Sequence, residues 1–153
     1  IAVENPQYTF KIAGKEGGNI DGNIQMAIEK LKALENVIFT GYLNRKQLPE
    51  LLSQSIALLN TSFYEGFSNT YLEAWAAGTP IITTVNANPD NICEKYVLGK
   101  VASNYLEIPN LINSLISDDS YNEIAKNCRN YVINNHNPKQ IAMDLINFMY
   151  YDK

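Results

Sequence analysis

Residues 56–85 read IALLNTSFYEGFSNTYLEAWAAGTPIITTV, and the pattern of this stretch decides the fold. Ile56-Ala57-Leu58-Leu59 is an apolar run too short for a helix of its own. It is continuous rather than alternating, as suits a strand covered on both faces. Asn60 to Ser68 reads as a loop, and a short helix is expected from Asn69 or Thr70 to about Ala77. Gly78 stands where a helix C-cap favours positive φ. Pro80-Ile81-Ile82-Thr83-Thr84-Val85 is the next strand, with Pro80 at its first position, where no ladder donor is lost.

The same alternation continues on both sides. Tyr8 to Ala13 is rich in aromatic and branched residues and ends at Gly14, with Gly17-Gly18 close behind, so a strand and a loop are expected. Ile20 to Leu34 has helical spacing. Val37-Ile38-Phe39, ending at Gly41, reads as a strand. Leu48, Leu51 and Leu52 share one helical face, with Pro49 in the first turn. Beyond Val85 come a turn-rich loop to Asp90, a short helix near Asn91 to Tyr96 and a strand near Lys100 to Ala102. Leu106 to Ile116, Tyr121 to Asn134 and Lys139 to Tyr150 read as helices; Ile141, Leu145, Ile146 and Met149 mark an apolar stripe on the last. About five strands alternating with helices, then a helical tail, predict one α/β domain over 1–153 with a parallel sheet covered on both faces.

Composition narrows the function classes. The chain has 153 residues, 46% hydrophobic and 18% charged, which is globular rather than disordered. Twelve Lys and Arg against sixteen Asp and Glu give a net charge of -4, which argues against a nucleic-acid partner bound by broad phosphate neutralisation. Cys93 and Cys128 form no metal-ligand spacing, and His136 is the single histidine, so no metal is expected. No apolar run approaches a membrane span. Ile1 opens in what reads as the middle of a longer chain, and a fragment is expected.

In such folds ligands bind beyond the carboxyl ends of the strands. Four loops lie there: Gly14 to Asn19, Gly41 to Asn44, Asn60 to Asn69, and Val85 to Asp90. The third is the richest. Ser68 and Asn69 are N-cap candidates, and the helix behind them points unsatisfied amides outward, an arrangement suited to a phosphate. Glu65 precedes the helix and Glu73 lies about one turn into it. A carboxylate accepts hydrogen bonds from the paired hydroxyls of a ribose or hexose. Amides for phosphates and carboxylates for hydroxyls describe a nucleotide-sugar. A plainer reading stands beside this one: acids near a helix N-terminus stabilise it anyway, and Ser68 is a cap and nothing more.

The pattern E-G-F-x-x-x-x-x-E-A-x-A-x-G-x-P-I, from Glu65 to Ile81, resembles that of the group-1 type retaining glycosyltransferases. These have two facing Rossmann-like domains, the GT-B fold. Val37 to Tyr42 resembles the V-x-F-x-G element of that family, and the likeness covers nearly the whole chain. It implies one half of a GT-B fold, the nucleotide-sugar-binding domain, truncated at its N-terminal strand and helix. The implied reaction moves a sugar from a UDP-sugar or GDP-sugar to an acceptor hydroxyl, with retention, in cell-surface polysaccharide or glycolipid synthesis. No cofactor or metal is implied beyond the donor substrate.

The resemblance also implies roles. Glu65 is the candidate catalytic residue, contacting the donor sugar near the reacting centre as a positioning and electrostatic group. Gly66, Phe67, Ser68 and Asn69 would offer amides to sugar hydroxyls and pyrophosphate. Thr70 and Tyr71 would sit at the head of the helix under the phosphates, and Glu73 would bind the ribose diol. Tyr42 would lie beside the nucleobase, with Gly14 and Lys15 bordering the phosphate and sugar. Trp75 is expected in the core. The basic pair and the acceptor domain of full-length members are not in this sequence, so the chain alone is expected to be inactive. A cytoplasmic site is expected, peripheral at the inner membrane face only through the part not present. Two other readings remain: a two-domain nucleotide-sugar epimerase, and a non-catalytic nucleotide-binding module. His136 is expected at the surface or as a cap. Asp118-Asp119 reads as a helix start rather than a metal pair, and the sequon at Asn60 is discounted because it falls in the expected functional loop.

Overall fold

The computed structural model describes residues 1–15, 17–18, 21–117 and 119–151. Ile20, expected to open the first helix, Asn19 of the first loop and Asp118 lie outside them. The chain divides into two compact units, Ile1–Leu48 and Pro49–Lys153, where the sequence reads as one domain. The division follows the hydrogen bonding. Five strands are present and all pair in parallel, but as a two-stranded and a three-stranded sheet rather than one ladder of five.

The first unit is a βαβ element. Strand β1 (Phe10–Ala13) pairs with β2 (Val37–Gly41), with Phe10 opposite Val37 and a register shift between Ile12 and Ala13. Helix α1 (Gly22–Lys32) connects them. Asp21 is its N-cap rather than a helical residue, because its carboxylate accepts from the Asn23 amide at 2.8 Å. Ahead of β1, the Asn36 side-chain amide donates to the carbonyls of Ala2, Asn5 and Tyr8 at 3.0–3.1 Å. Two hydrogens serve three acceptors, so at least one is shared. Asn44 and Gln47 form a reciprocal cap: Asn44 Oδ1 accepts from the Gln47 amide and Gln47 Oε1 from the Asn44 amide, both at 3.1 Å. Helix α2 (Gln47–Ser53) follows, with Pro49 in its first turn as expected.

The second unit is built on strands β3 (Leu58–Leu59), β4 (Ile81–Thr84) and β5 (Gly99–Ala102), in spatial order β3-β4-β5. β3 is shorter than the Ile56–Leu59 run. The Ile56 carbonyl accepts from the Tyr121 hydroxyl at 2.8 Å, and the ladder opens only with the Leu58 amide on the Pro80 carbonyl at 2.9 Å. All four residues of β4 are buried, as a central parallel strand requires.

Helices α3 (Asn69–Ala77), α4 (Ile92–Lys95), α5 (Ile108–Ile116), α6 (Tyr121–Asn135) and α7 (Pro138–Tyr151) complete the unit. A 3-10 turn at Tyr105–Glu107 replaces the expected first turn of α5, which starts where Pro109 fits. The core holds Tyr71, Trp75, Ile81, Leu98, Ile108 and Leu115, with Cys93 and Cys128 among them. Trp75 is fully buried, as expected, and its Nε1 donates to the Leu98 carbonyl at 3.3 Å. The apolar stripe of α7 is not buried: Ile141, Leu145, Ile146 and Met149 are each at least half exposed. Val97, after α4, has φ +55°, a strained conformation for a β-branched residue.

Gly78 caps α3 with φ +81°, its amide donating to the Trp75 carbonyl at 2.9 Å. The Arg129 guanidinium lies over it and donates to the Ala77 carbonyl at 3.0 Å. A Cβ at position 78 would collide with that guanidinium. Gly78→Ala is therefore expected to destabilise the chain by roughly 1–3 kcal/mol, from left-handed strain plus displacement of Arg129. Urea unfolding of Gly78→Ala, Arg129→Ala and the double variant separates the two, since only the steric part vanishes when Arg129 is removed first.

Burial pushes the Cys93 and Cys128 thiols up to about 12 from an ordinary value of 9.0. Above pH 9 the unfolded thiols ionise while the folded ones keep their protons, so the unfolded state binds fewer protons and stability falls. This contribution is complete below pH 9 and is lost as pH rises toward 12. The hydroxyls of buried Tyr71 and Tyr131 and of half-buried Tyr121, also raised by burial, act in the same direction. Urea midpoints should fall between pH 8 and pH 10, less steeply in Cys128→Ala, and the native thiols should resist an aromatic disulfide reagent at pH 8.

Candidate functional site

β3 delivers the chain to the carboxyl edge of its sheet. The Asn60 amide still donates to the Ile82 carbonyl at 2.9 Å, but its side chain turns into the loop. Asn60 Oδ1 accepts from the Ser62 amide at 2.7 Å, and Nδ2 reaches Glu65 Oε2 at 3.5 Å. Tyr105 donates its hydroxyl to the Thr61 carbonyl at 3.3 Å and meets the Phe63 ring edge-on. The Glu65 amide contacts the Asn86 carbonyl at 3.5 Å. The loops that follow β3 and β4 thus meet at Glu65. The second contains two 3-10 turns, Val85–Ala87 and Pro89–Asn91, and places Asp90 and Asn91 in the left-handed region.

Glu65 is half-buried and Gly66 exposed. A Cβ on Gly66 would meet nothing within 4 Å, so nothing in the chain itself calls for glycine there. Open space at an unneeded glycine suits close approach of a ligand to the backbone. Ser68 is the N-cap of α3 in extended geometry, yet its side chain makes no capping bond. The Tyr71 amide donates to the Ser68 carbonyl at 3.1 Å, while the amides of Asn69 and Thr70, the first two of the helix, have no intrahelical acceptor. Glu73 lies in the second turn, four residues from Asn69, so the two share the exposed face. Neither Glu65 nor Glu73 has an ion-pair partner among the described residues.

One expected binding residue is placed elsewhere. Tyr71 is fully buried, with Ala74 and Trp75, on the inner face of α3. Its hydroxyl donates to the Ala87 carbonyl at 2.7 Å and lies 3.1 Å from Thr83 Oγ1. With hydroxyl and amide both engaged inside the protein, Tyr71 is a core residue and not a phosphate contact. Periodicity carries this: Tyr71, Ala74 and Trp75 fall on one helical stripe.

Phe67 is 44% exposed, and its ring stacks on His136, with centroids 5.2 Å apart and planes at 22°. His136 caps α6, as the sequence suggests, through its amide on the Val132 carbonyl at 2.9 Å. Its contact with Phe67 had no local signal, because the two are distant in sequence. In the first unit, Lys15 and Tyr42 are exposed, and Lys15 Nζ stands 5.2 Å from the Tyr42 ring centroid, a cation–π contact. Gly14 has φ +146° and lines, with Lys15 and Asp21, one end of a cavity of about 460 Å³ whose other walls include Ile24, Ile28 and Phe39. Among the described residues no three His, Cys, Asp or Glu side chains are placed to hold a metal ion, and no helix is long and apolar enough to cross a membrane.

Comparison with known proteins adds an independent line. The family described as Glycosyl transferases group 1 matches residues 2–143. Over 111 residues the chain is 31% identical to the UDP-Gal:alpha-D-GlcNAc-diphosphoundecaprenol alpha-1,3-galactosyltransferase of Escherichia coli, covering 71% of this chain and 28% of that protein. The C-terminal domain of the group 1 glycosyl transferase LpcC from Francisella tularensis superposes with a TM-score of 0.71 and 25% identity, over 88% of this chain and 73% of that one. Anabaena HepE in complex with UDP gives a TM-score of 0.76 at 23% identity, over 92% of this chain and 41% of that one, a likeness of fold: parallel sheets and helices in a Rossmann-like arrangement, one half of GT-B. The chain spans well under two thirds of the Escherichia coli enzyme and of HepE.

The helix start allows a sharp test of Ser68. Loss of a working N-cap costs about 1 kcal/mol. Because Ser68 makes no capping bond, Ser68→Ala should change stability by less than about 0.5 kcal/mol. Tyr71→Phe should cost about 1 kcal/mol, since it removes the buried bond from Tyr71 to the Ala87 carbonyl, while that carbonyl keeps the 3.3 Å bond from Thr83 Oγ1. Urea midpoints of the two variants should differ in that order.

Proposed function

The chain belongs to the group 1 glycosyl transferases, and on that premise we propose that its second unit holds the donor end of a transferase that moves a sugar from a nucleotide-diphosphate sugar to an acceptor hydroxyl with retained anomeric configuration. The observation that carries the reading is the start of α3. Among the described residues, two amides at Asn69 and Thr70 without an acceptor stand beside an exposed glycine, and carboxylates without cation partners lie before and behind them. Amides at a helix N-terminus bind phosphate oxygens. In the transfer the bond between the anomeric carbon and the diphosphate breaks, and negative charge grows on the leaving oxygen. Fixed amides aimed at that charge are stronger in the transition state than in the ground state. The acceptor oxygen forms its bond to the same carbon, and its proton passes to the departing diphosphate.

Glu73, on the exposed face of the second turn, is assigned to the ribose diol, accepting a hydrogen bond from each hydroxyl. Glu65, held by Asn60 and by the Asn86 carbonyl, is assigned to the donor sugar, as a positioning and electrostatic group beside the developing positive charge of the anomeric carbon. Gly66, Phe67 and Ser68 contribute backbone amides. Gly14, Lys15 and Tyr42, in the first unit, are kept as nucleotide-sugar contacts on the strength of the resemblance alone. A UDP donor is favoured, because the Escherichia coli relative is named for UDP-Gal and the Anabaena structure holds UDP. The same relative's name, with its diphosphoundecaprenol acceptor, supports a role in polysaccharide or glycolipid synthesis.

Calorimetry with UDP and GDP tests the assignment. Glu73→Ala should weaken binding by about one to two decades, the equivalent of roughly 1.5–3 kcal/mol for charge-assisted hydrogen bonds, with the unfolding midpoint unchanged. Ser68→Ala should bind nearly as the parent does. Parent-like affinity in Glu73→Ala together with a large fall in midpoint would make the glutamate a structural acid and end the ribose assignment.

A further inference from the structure

We propose that His136 is a positioning residue for the donor site: it clamps the Gly66–Phe67–Ser68 backbone through the Phe67 ring. The inference rests on the donor reading above. Of these three residues, Gly66 has no side chain and Ser68 makes no capping bond, while Phe67 carries the segment's ring contacts. Phe67 is not locked in the core, being 44% exposed. It is held on two sides, by His136 at 5.2 Å and 22° and by Trp75 at 6.3 Å and 59°.

Both supports are themselves fixed. Trp75 is fully buried and donates to the Leu98 carbonyl. His136 Nε2 shares a hydrogen bond of 3.1 Å with the Tyr131 hydroxyl, its amide caps α6, and Pro138 opens the next helix two residues on. Tyr131 packs edge-on against Trp75 at 5.3 Å, and on His136 at 5.3 Å. Phe67, Trp75, Tyr131 and His136 therefore close a ring of four aromatic contacts, with the Tyr131–His136 hydrogen bond inside it. Glu65 stands two residues before Phe67, and the unclaimed amides two and three residues after it. Rotation of this short stretch would move carboxylate and amides apart together, and a site of this kind depends on their relative placement to within a fraction of an ångström. A histidine at the end of α6 thereby controls the loop through ring contact and leaves the donor untouched.

The test uses the chain with His136→Ala and His136→Phe; the second keeps a stacked ring and drops only the bond to Tyr131. In His136→Ala, the backbone amide order parameters of Gly66 to Asn69 should fall from rigid values of about 0.85 toward about 0.6, with Trp75 and the rest of α3 unchanged. The Phe67 ring proton signals should move downfield as the ring current is lost, and affinity for UDP should fall about three- to tenfold. His136→Phe should restore most of each. Unchanged order parameters and UDP affinity in His136→Ala, or a loss of order spread evenly over α3 and α6, would overturn the clamp. A parent that binds neither UDP nor GDP overturns the donor reading and this inference with it; a parent that binds while His136→Ala binds equally overturns the clamp alone.

Discussion

The buried face of α3 is the constraint on which the second unit depends. Tyr71 and Trp75 project from it into the core, and each carries one polar atom that must find a partner there. The Tyr71 hydroxyl takes the Ala87 carbonyl, just past the end of β4, and the Trp75 indole takes the Leu98 carbonyl, just before β5. One helix is thus tied to the chain at both ends of the central sheet. With both rings fixed, the N-terminus of α3 has one direction, and the loop that feeds it has one place to arrive. A helix held only by apolar contact could slide; these two hydrogen bonds set its register.

The same logic explains how a loop with so many exposed side chains has a defined course. Phe63 and Tyr64 are each more than 80% exposed, so burial does not hold them. The backbone is held instead at Asn60, whose side chain serves both the Ser62 amide and Glu65, at Thr61 by Tyr105, and at Glu65 by Asn86. Each contact is individually weak, and their sum is a chain of small restraints running from β3 to the α3 cap. On the outward side of this path, the Asn69 and Thr70 amides have no intrahelical acceptor and the Glu73 carboxylate has no ion-pair partner among the described residues.

The far end of α3 is stabilised differently. There the left-handed Gly78 turns the chain, and Arg129 of α6 places positive charge over the helix carboxyl end, the favourable sense for the helix dipole. The two ends of α3 are therefore asymmetric: a cation and a filled cap behind, and open amides in front.

Much of this was legible in the sequence by itself. Gly78 after an apolar helix, Pro80 before a branched run and Pro49 in a first turn are local signals, because each depends on φ or on one missing donor. The parallel character of the sheet, the extent of α3, the burial of Trp75 and the loop carrying Glu65 followed from them. What only the tertiary structure decided depends on residues far apart in the chain. Tyr71 looked like a helix-head ligand until packing put it on the inner stripe with Thr83 and Ala87. The strand at Ile56 was cut short by a hydroxyl from Tyr121. Pairing of the strands as two plus three, the exposure of the α7 stripe and the stacking of His136 on Phe67 have no local signature. Periodicity states which faces of an element are apolar; it carries no information on which distant element meets that face, since that is set by chain closure and side-chain packing in three dimensions.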